Sequence, residues 1–433
     1  MLVQQLQTKW QVANEFVYPQ YDENCISQIP DTVLTLFGIQ KQNNHAVLDH
    51  PFLNTVLPNR MSKVVLLVID GFGFNQFLHY HKENPFLSNL EDNGEIYLKT
   101  SVFPSQTTNA LTTLNTGLTP QQHGLFEYFV FLCNIGVVNA LRFERLGKRR
   151  PSSLLEEGFD PSILLYKSRT IHEILAENGV ASFTHVHASN DLNICSKLIF
   201  QGSQITPSPN AFETVLALKK NLEVNRDKKA YFFVHLDTLD TISHVYGPGS
   251  FEYQAELSWL TYLLNKELIE RIDPQTAKET LLLVTADHGA VNVNPAEATY
   301  LNYLPNTLLN LRSGPDRKPI MPTGSPREVF LHIKERKLQE TKERLSQKIR
   351  GKAQVLETEE AVECGLFGSG VPNQEVLDRL GNLMILPYGN ETVWFENPGN
   401  YKLRYLGQHG GLSSQEMLVP FGAANLGSLK SGL

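Results

Sequence analysis

Asp70, Thr107, Asp240, His244, Asp287, His288 and His409 are spread over more than three hundred positions of the chain. Carboxylate oxygen and imidazole nitrogen are the donors that a divalent cation such as zinc accepts. No one segment carries enough of them to hold an ion. Brought together by a fold, they suffice for two ions, and the chemistry such a pair performs is metal-assisted hydrolysis. The seven residues therefore point to a metal-dependent hydrolase.

Each residue sits in a short segment that also has a plainer explanation. Val68-Ile69-Asp70-Gly71 closes an aliphatic run, and Asp-Gly there also reads as a simple turn. Phe103-Pro104-Ser105-Gln106-Thr107-Thr108-Asn109-Ala110 puts a hydroxyl cluster at the start of a helix that ends near Gly117. A hydroxyl placed there meets the positive end of the helix dipole and free backbone N–H groups, which suits phosphate. N-capping by Ser105 or Thr107 explains the same residues. Between His235 and His244, Asp240 and His244 stand four apart, on one face of a helical turn, where one ion reaches both. Asp237 is a third carboxylate within reach. Asp287-His288-Gly289 ends another apolar run, and Gly407-Gln408-His409-Gly410-Gly411 flanks a lone histidine with glycines that allow close approach to an ion. His79, His81, His172, His185, His187 and His332 lack such a setting and read as structural.

The elements that must position these residues follow from apolar patterning. Val64 to Ile69, Tyr231 to Leu236 and Leu281 to Ala286 are continuous rather than alternating, the signature of strands buried on both faces of a parallel sheet. Each run delivers a carboxylate just past its end, where ligands bind in open α/β sheets. Helices are expected over Phe251 to Ile272, stopped by Asp273-Pro274, and over Ser168 to Asn178, with Gly179 past its end. Strand–helix alternation predicts a layered α/β domain with a mostly parallel central sheet. Residues 1–60 read as an N-terminal extension packed on the core, 61–324 with 399–433 as the core itself, and 325–398 as a small α+β insertion or cap. The insertion has strands at Arg327 to Ile333, Ala353 to Leu356 and Leu383 to Leu386, and a charged helix at Leu338 to Ile349 whose mixed Lys, Arg and Glu predict a solvated, salt-bridged face.

Taken together and in order, the segments resemble the alkaline phosphatase superfamily, and within it the type I phosphodiesterase and nucleotide pyrophosphatase family. The matched pieces run from Asp70 to His409, and Tyr246-Gly247-Pro248 after His244 also fits the family pattern. The resemblance implies an alkaline-phosphatase-like α/β/α fold and two divalent ions, Zn2+ first, with Mn2+ or iron as alternatives. It assigns Asp70, Thr107, Asp287 and His288 to one ion and Asp240, His244 and His409 to the other. Thr107 becomes the nucleophile of a phospho-threonine mechanism, selected over Ser105 and Thr108 by its distance from Phe103-Pro104 and from Thr116-Gly117. The Thr108 backbone N–H is an oxyanion donor in this scheme. The family's phosphate-holding Asn stands three residues after the nucleophile, where this chain has Ala110. Asn109, one position earlier, and Thr108 are the substrate-binding candidates. The implied substrate is a small phosphorylated molecule of the nucleotide class. Phosphomonoesters and phosphonates are alternative substrates of the same ligand set, and a catalytically silent binding protein is the alternative from another class.

Bulk properties are compatible. The chain has 433 residues, 41% hydrophobic and 19% charged, as in an ordinary soluble globular protein. A net charge of -7 without a basic block argues against a stable nucleic-acid complex. Cys25, Cys133, Cys195 and Cys364 show no CxxC spacing and read as reduced thiols. The polar first residues lack the apolar stretch of a leader, and no run is long enough to span a bilayer, so the expected location is the cytoplasm and no membrane partner is expected. Nothing in the sequence sets an oligomeric state.

Overall fold

The computed structural model describes residues 16–40, 61–147, 150–166, 168–191, 193–396 and 402–433. The main sheet has seven strands. They are β1 Lys63–Ile69, β2 Glu95–Thr100, β3 Ala181–His187, β4 Gln204–Ser208, β5 Ala230–Leu236, β6 Thr280–Thr285 and, far along the chain, β11 Leu418–Asn425. Between β6 and β11 a second, four-stranded sheet takes β7 Thr323–Ser325, β8 Glu328–Leu331, β9 Ala353–Glu357 and β10 Leu383–Pro387. The helices that matter below are α1 Ile29–Leu36, α2 Thr107–Thr116, α3 Ile171–Glu177, α4 Ala211–Val224, α5 Thr238–Tyr246, α6 Phe251–Leu263 and α7 Leu338–Lys348.

Every residue of β1, β5 and β6 is buried, which is why their sequences run apolar without alternation. The main sheet runs β2-β11-β6-β1-β5-β3-β4. Strand β1 pairs in parallel with β5 on one side and β6 on the other, in a register that sets Val68 beside both His235 and Thr285. The three strand ends that lead to Asp70, Asp240 and Asp287 therefore lie side by side, one strand spacing apart. Strand β11 is antiparallel to both of its neighbours, β6 and β2. Helix α4 packs on β3, β4 and β5, and the helix Pro85–Asn93 on β2 and β11, giving the layered α/β architecture.

Segment boundaries differ from the sequence reading in two places. The helix from Phe251 is regular only to Leu263. It then widens into a π-helical turn over Leu264–Ile269, which turns both Leu268 and Ile269 into the core. Helix α3 is shorter than expected, opening with a capping box between Thr170 and Glu173, with Gly179 left-handed beyond its end. The described N-terminal residues lie against the main body: Ile26, Ile29 and Val33 join its core, and the Val17 N–H donates to the Leu412 carbonyl at 2.7 Å. Residues 1–15 and 41–60 of the expected N-terminal unit lie outside the described residues. The second sheet is antiparallel and has its own apolar cluster, in which Leu345 of α7 meets Leu331, Val355 and Ile385. The outer face of α7 is bridged by Lys337–Glu340, Arg344–Glu340 and Lys342–Glu357. Among the described residues no helix is long and apolar enough to cross a membrane.

Candidate active site

The seven residues singled out in the sequence converge at the carboxyl edge of the central strands. Asp70 follows β1 directly, Asp287 stands two residues past β6, and Asp240 lies in the first turn of α5, which follows β5. Gly71 lets Asp70 and Asp240 come close. Its φ of +71° is left-handed, and a Cβ there would come within 3.0 Å of the Asp240 Cβ, so only glycine lets the two aspartates approach. His409 enters from the far end of the chain on Gly407–Gln408, which pairs with Val291–Asn292 just beyond His288. Thr107 is the first residue of α2, and its Oγ1 lies 3.0 Å from His288 Nε2.

Neither Ser105 nor Thr107 caps α2. The N-cap residue is Gln106, without a side-chain bond to the helix. Ser105 instead holds the late loop: its Oγ donates to the Gly411 carbonyl at 2.8 Å and accepts from the Gly410 N–H at 3.1 Å. The first intrahelical bond runs from the Ala110 N–H to Gln106, leaving the amides before it, that of Thr108 included, without a helical acceptor.

Three features of these side chains fit divalent cations. First, one oxygen of each aspartate (Asp70 Oδ1, Asp240 Oδ1 and Asp287 Oδ2) is buried and accepts no hydrogen bond from the described residues. Such atoms are costly unless a cation meets them. Second, the histidines are locked in one tautomer. His244 Nδ1 lies 2.8 Å from the Gly407 carbonyl, His288 Nδ1 2.9 Å from that of Gly289 and His409 Nδ1 3.1 Å from that of Ser105. A carbonyl only accepts, so each Nδ1 carries the proton and each Nε2 presents a lone pair, as metal-binding histidines do. Third, those lone pairs face each other and the carboxylates. His244 Nε2 is 3.3 Å from His409 Nε2 and 3.1 Å from Asp240 Oδ2, and His288 Nε2 is 3.2 Å from Asp287 Oδ2. Like partial charges at these distances call for positive charge between them. Among the described residues three groups have ligand atoms within 4.8 Å of one another: Asp240, His244 and His409; Asp70, Asp240 and His288; and Asp70, His235 and Asp287.

The electrostatics agree. Burial, then repulsion from Asp287 and Asp240, hold the Asp70 carboxyl well above the usual carboxylate range. Burial alone would raise Asp240 too, but the positive charge that His244, His409 and His288 carry when protonated outweighs it and holds that carboxyl below its usual range. Burial and the neighbouring His288 push His409 down to about 3, which keeps its imidazole neutral and able to ligate.

Around the cluster opens a cavity of about 1010 Å³ lined by Thr107, Thr108, Asp240, His244 and His409. Its walls include Phe129, Leu141, Val186, Ile199 and Phe200, and on another side Lys402, Arg404 and Tyr405. The 193–200 stretch and the 402–405 loop carried no motif, and only the fold brings them here. Asn109 is not among the lining residues. It is fully buried and its Nδ2 donates to the Pro104 carbonyl at 2.7 Å, so its side chain supports the loop before α2. Asp237 stands at the N-cap of α5 and joins none of the metal-ligating groups found among the described residues.

Three contributors were not singled out in the sequence. His235, at the end of β5, places Nε2 2.9 Å from Asp70 Oδ2. Its place inside an apolar strand gave only a core signal. Arg327 and Glu416, both fully buried, form a two-pronged ion pair, Nε to Oε1 and Nη2 to Oε2 at 2.9 Å each. Arg327 also donates to the carbonyls of Gly389 and Glu391, and Glu416 accepts from the Gly411 N–H, so the pair ties the second sheet to the loop that carries His409.

Comparison with known proteins follows the same outline. No curated protein sequence matches the chain. Among solved structures, murine ectonucleotide pyrophosphatase/phosphodiesterase 5 superimposes with a TM-score of 0.62 at 18% identity, covering 85% of this chain and 93% of that one. An inactive form of the murine protein in complex with AMP gives 0.59 at 18%, with 85% and 93% covered. Phosphonoacetate hydrolase from Sinorhizobium meliloti 1021, in complex with phosphonoformate, gives 0.57 at 19%, with 85% and 94% covered. At these identities the likeness is one of fold. The sequence profile of type I phosphodiesterases and nucleotide pyrophosphatases matches residues 64–412, a span that holds all seven convergent residues. By that match the chain belongs to the type I phosphodiesterase / nucleotide pyrophosphatase family of metal-dependent phosphoric ester hydrolases.

Proposed function

We propose that the enzyme is a phosphodiesterase that cleaves a nucleotide-like substrate through a phospho-threonine on Thr107. The observation that carries this reading is the position of Thr107. Its hydroxyl stands at a helix N-terminus, 3.0 Å from His288 Nε2, and faces a cavity far larger than a phosphate group. Asp70, Thr107, Asp287 and His288 would hold one ion, and Asp240, His244 and His409 the other, with Zn2+ the first candidate. When bound, such a pair supplies positive charge that lowers the pKa of the threonine hydroxyl and stabilises charge on the phosphoryl oxygens.

The protein's own part is positional. His288, with its proton on Nδ1, turns Nε2 to within 3.0 Å of the Thr107 hydroxyl, so that the two would meet at one ion beside the cavity. Thr107 Oγ1, its proton released to solvent, attacks phosphorus in line; the bond from phosphorus to the leaving oxygen breaks and that oxygen takes a proton from solvent, and water later hydrolyses the phospho-threonine, restoring the threonine hydroxyl. The N–H of Thr108 donates to a non-bridging oxygen, helped by the dipole of α2. Among the described residues lining the cavity, Lys402 and Arg404 are the only lysine or arginine, and both belong to an exposed loop. A dianionic monoester would find only these two exposed cations and no buried arginine in the described lining, which favours a monoanionic diester. The apolar wall from Phe129 to Phe200 leaves room for an organic arm of nucleoside size. The AMP complex of the murine relative supports that size class. Four free cysteines accord with a cytoplasmic setting.

The test is a substrate panel scored by kcat/KM, comparing p-nitrophenyl esters of nucleoside monophosphates and bis(p-nitrophenyl) phosphate with p-nitrophenyl phosphate and phosphonoacetate. Diesters are expected to lead, and a monoester or phosphonate preference overturns the reading. Thr107→Ala is expected to lose turnover and keep its metal content. Full activity in that variant would remove Thr107 from the nucleophile's role.

A further inference from the structure

The histidine at the end of β5 behaves unlike the other three at the site. His244, His288 and His409 each give the Nδ1 proton to a carbonyl and turn a bare Nε2 toward the carboxylates. His235 also turns Nε2 to a carboxylate, Asp70 Oδ2 at 2.9 Å, but its Nδ1 is buried with no hydrogen-bond partner among the described residues. The choice of tautomer follows. A proton on Nδ1 would leave a buried donor unpaired and set a lone pair against the carboxylate oxygen. A proton on Nε2 makes a hydrogen bond and leaves only an unused acceptor, the less costly of the two defects.

We propose that His235 is a positioning residue for the first metal ion, donating from Nε2 to Asp70 Oδ2 and so aiming Asp70 Oδ1 at that ion. This rests on the two-ion reading of the site. The geometry divides the work of the carboxylate. Oδ2 is taken by His235, while Oδ1 accepts no hydrogen bond and lies 3.5 Å from His288 Nε2, on the side of the ligand cluster. His235 itself is rigidly placed. It is a residue of the fully buried strand β5, in register with Val68 two positions before Asp70, and is only 4% exposed. Among the described residues, the bond from His235 is the one hydrogen bond given to the Asp70 carboxylate. Without it neither carboxylate oxygen is held by a hydrogen bond, and a bound ion must fix that side chain itself. Hydrogen bonds of this kind behind a ligand are worth roughly 10–100-fold in metal affinity.

The proposal predicts different behaviour from two substitutions at one position. His235→Gln keeps an N–H donor near Asp70, and His235→Phe keeps the ring volume without a donor. The measurement is zinc affinity by competition with a chromophoric chelator, with stoichiometry by elemental analysis and folding checked by thermal denaturation. Wild-type protein is expected to bind two ions; binding of none would overturn the two-ion reading itself. The expected result is a roughly 10–100-fold loss of affinity at one of the two sites in His235→Phe, with His235→Gln within a few-fold of wild type. Equal loss of one whole ion in both variants would make His235 a ligand and overturn the proposal. Unchanged affinity in a folded His235→Phe would overturn it too. If His235→Phe fails to fold, His235→Gln and His235→Leu carry the same comparison.

Discussion

Replacing Arg327 by methionine tests how the second sheet holds the late loop. The substitution keeps an apolar stem of similar length and removes the bonds from Nε and Nη2 to Glu416 and those to the carbonyls of Gly389 and Glu391. Glu416 is then left fully buried with only the Gly411 and Ser413 donors. Breaking one side of such a pair costs about 3–5 kcal/mol. The pH dependence gives a sharper test. In the wild type, burial pushes Glu416 up, but Arg327 outweighs it and the carboxyl titrates below its usual range. That stability is present above the unfolded carboxylate pKa and is lost as pH falls through the lower folded value. In Arg327→Met the burial persists without the cation, so the folded pKa rises above the unfolded one. The folded variant then binds a proton the unfolded chain lacks, and its stability declines as pH climbs from the unfolded value through the raised one. Urea midpoints at pH 5 and pH 8 should therefore show a loss at both, larger at pH 8. Arg327→Met/Glu416→Gln, which removes the charge as well, should recover part of the pH 8 loss. A midpoint within error of wild type, or a loss independent of pH, would refute the clamp.

Chelation of bound metal should lower the thermal midpoint and re-addition of zinc or manganese should restore it, since an ion held at a hundred times its Kd contributes about 2.7 kcal/mol; an unmoved midpoint would contradict the ligand set. In Gly289→Ala the new methyl would overlap the Gln415 carbonyl oxygen and lie 2.9 Å from the Gly73 Cα. A cost of about 1–3 kcal/mol in denaturant titration, with reduced metal content from displaced Asp287 and His288, is expected. Burial pulls the Lys99 ammonium down to about 7, so its cost is fully present below that pH and fades toward its unfolded value. Lys99→Met should accordingly stabilise the protein more at pH 6 than at pH 9, as read by paired melts.

The central fold was legible because burial on both faces writes itself into composition. The runs ending at Ile69, Leu236 and Ala286 could only be inner strands of a covered sheet, and a carboxylate past each end is conspicuous. The spacing of Asp240 and His244 and the glycines around His409 carried similar information. Other parts were silent for physical reasons. His235 occupies a strand position where a histidine reads as core, and its meaning depends on the register of β1 against β5. Asn109 looked like a phosphate ligand from its distance along the chain, but the helix turns it inward to Pro104. Arg327 and Glu416 are 89 residues apart, and no local pattern announces a pair at that separation. The cavity wall from Asn193 to Phe200 is assembled from ordinary apolar residues whose function is set by where the backbone carries them.

The position of β11 bears on how the molecule is made. Strand β2 forms early in the chain, yet its partner in the main sheet is β11, more than three hundred residues later, and β11 also closes the edge of β6. During synthesis both of those edges must wait with unpaired N–H and C=O groups until residues 418–425 emerge. His409 emerges only shortly before them. The second ligand set is therefore completed only once His409 has emerged, and a pause before residues 418–425 leaves β2 and β6 with open edges for chaperones to guard.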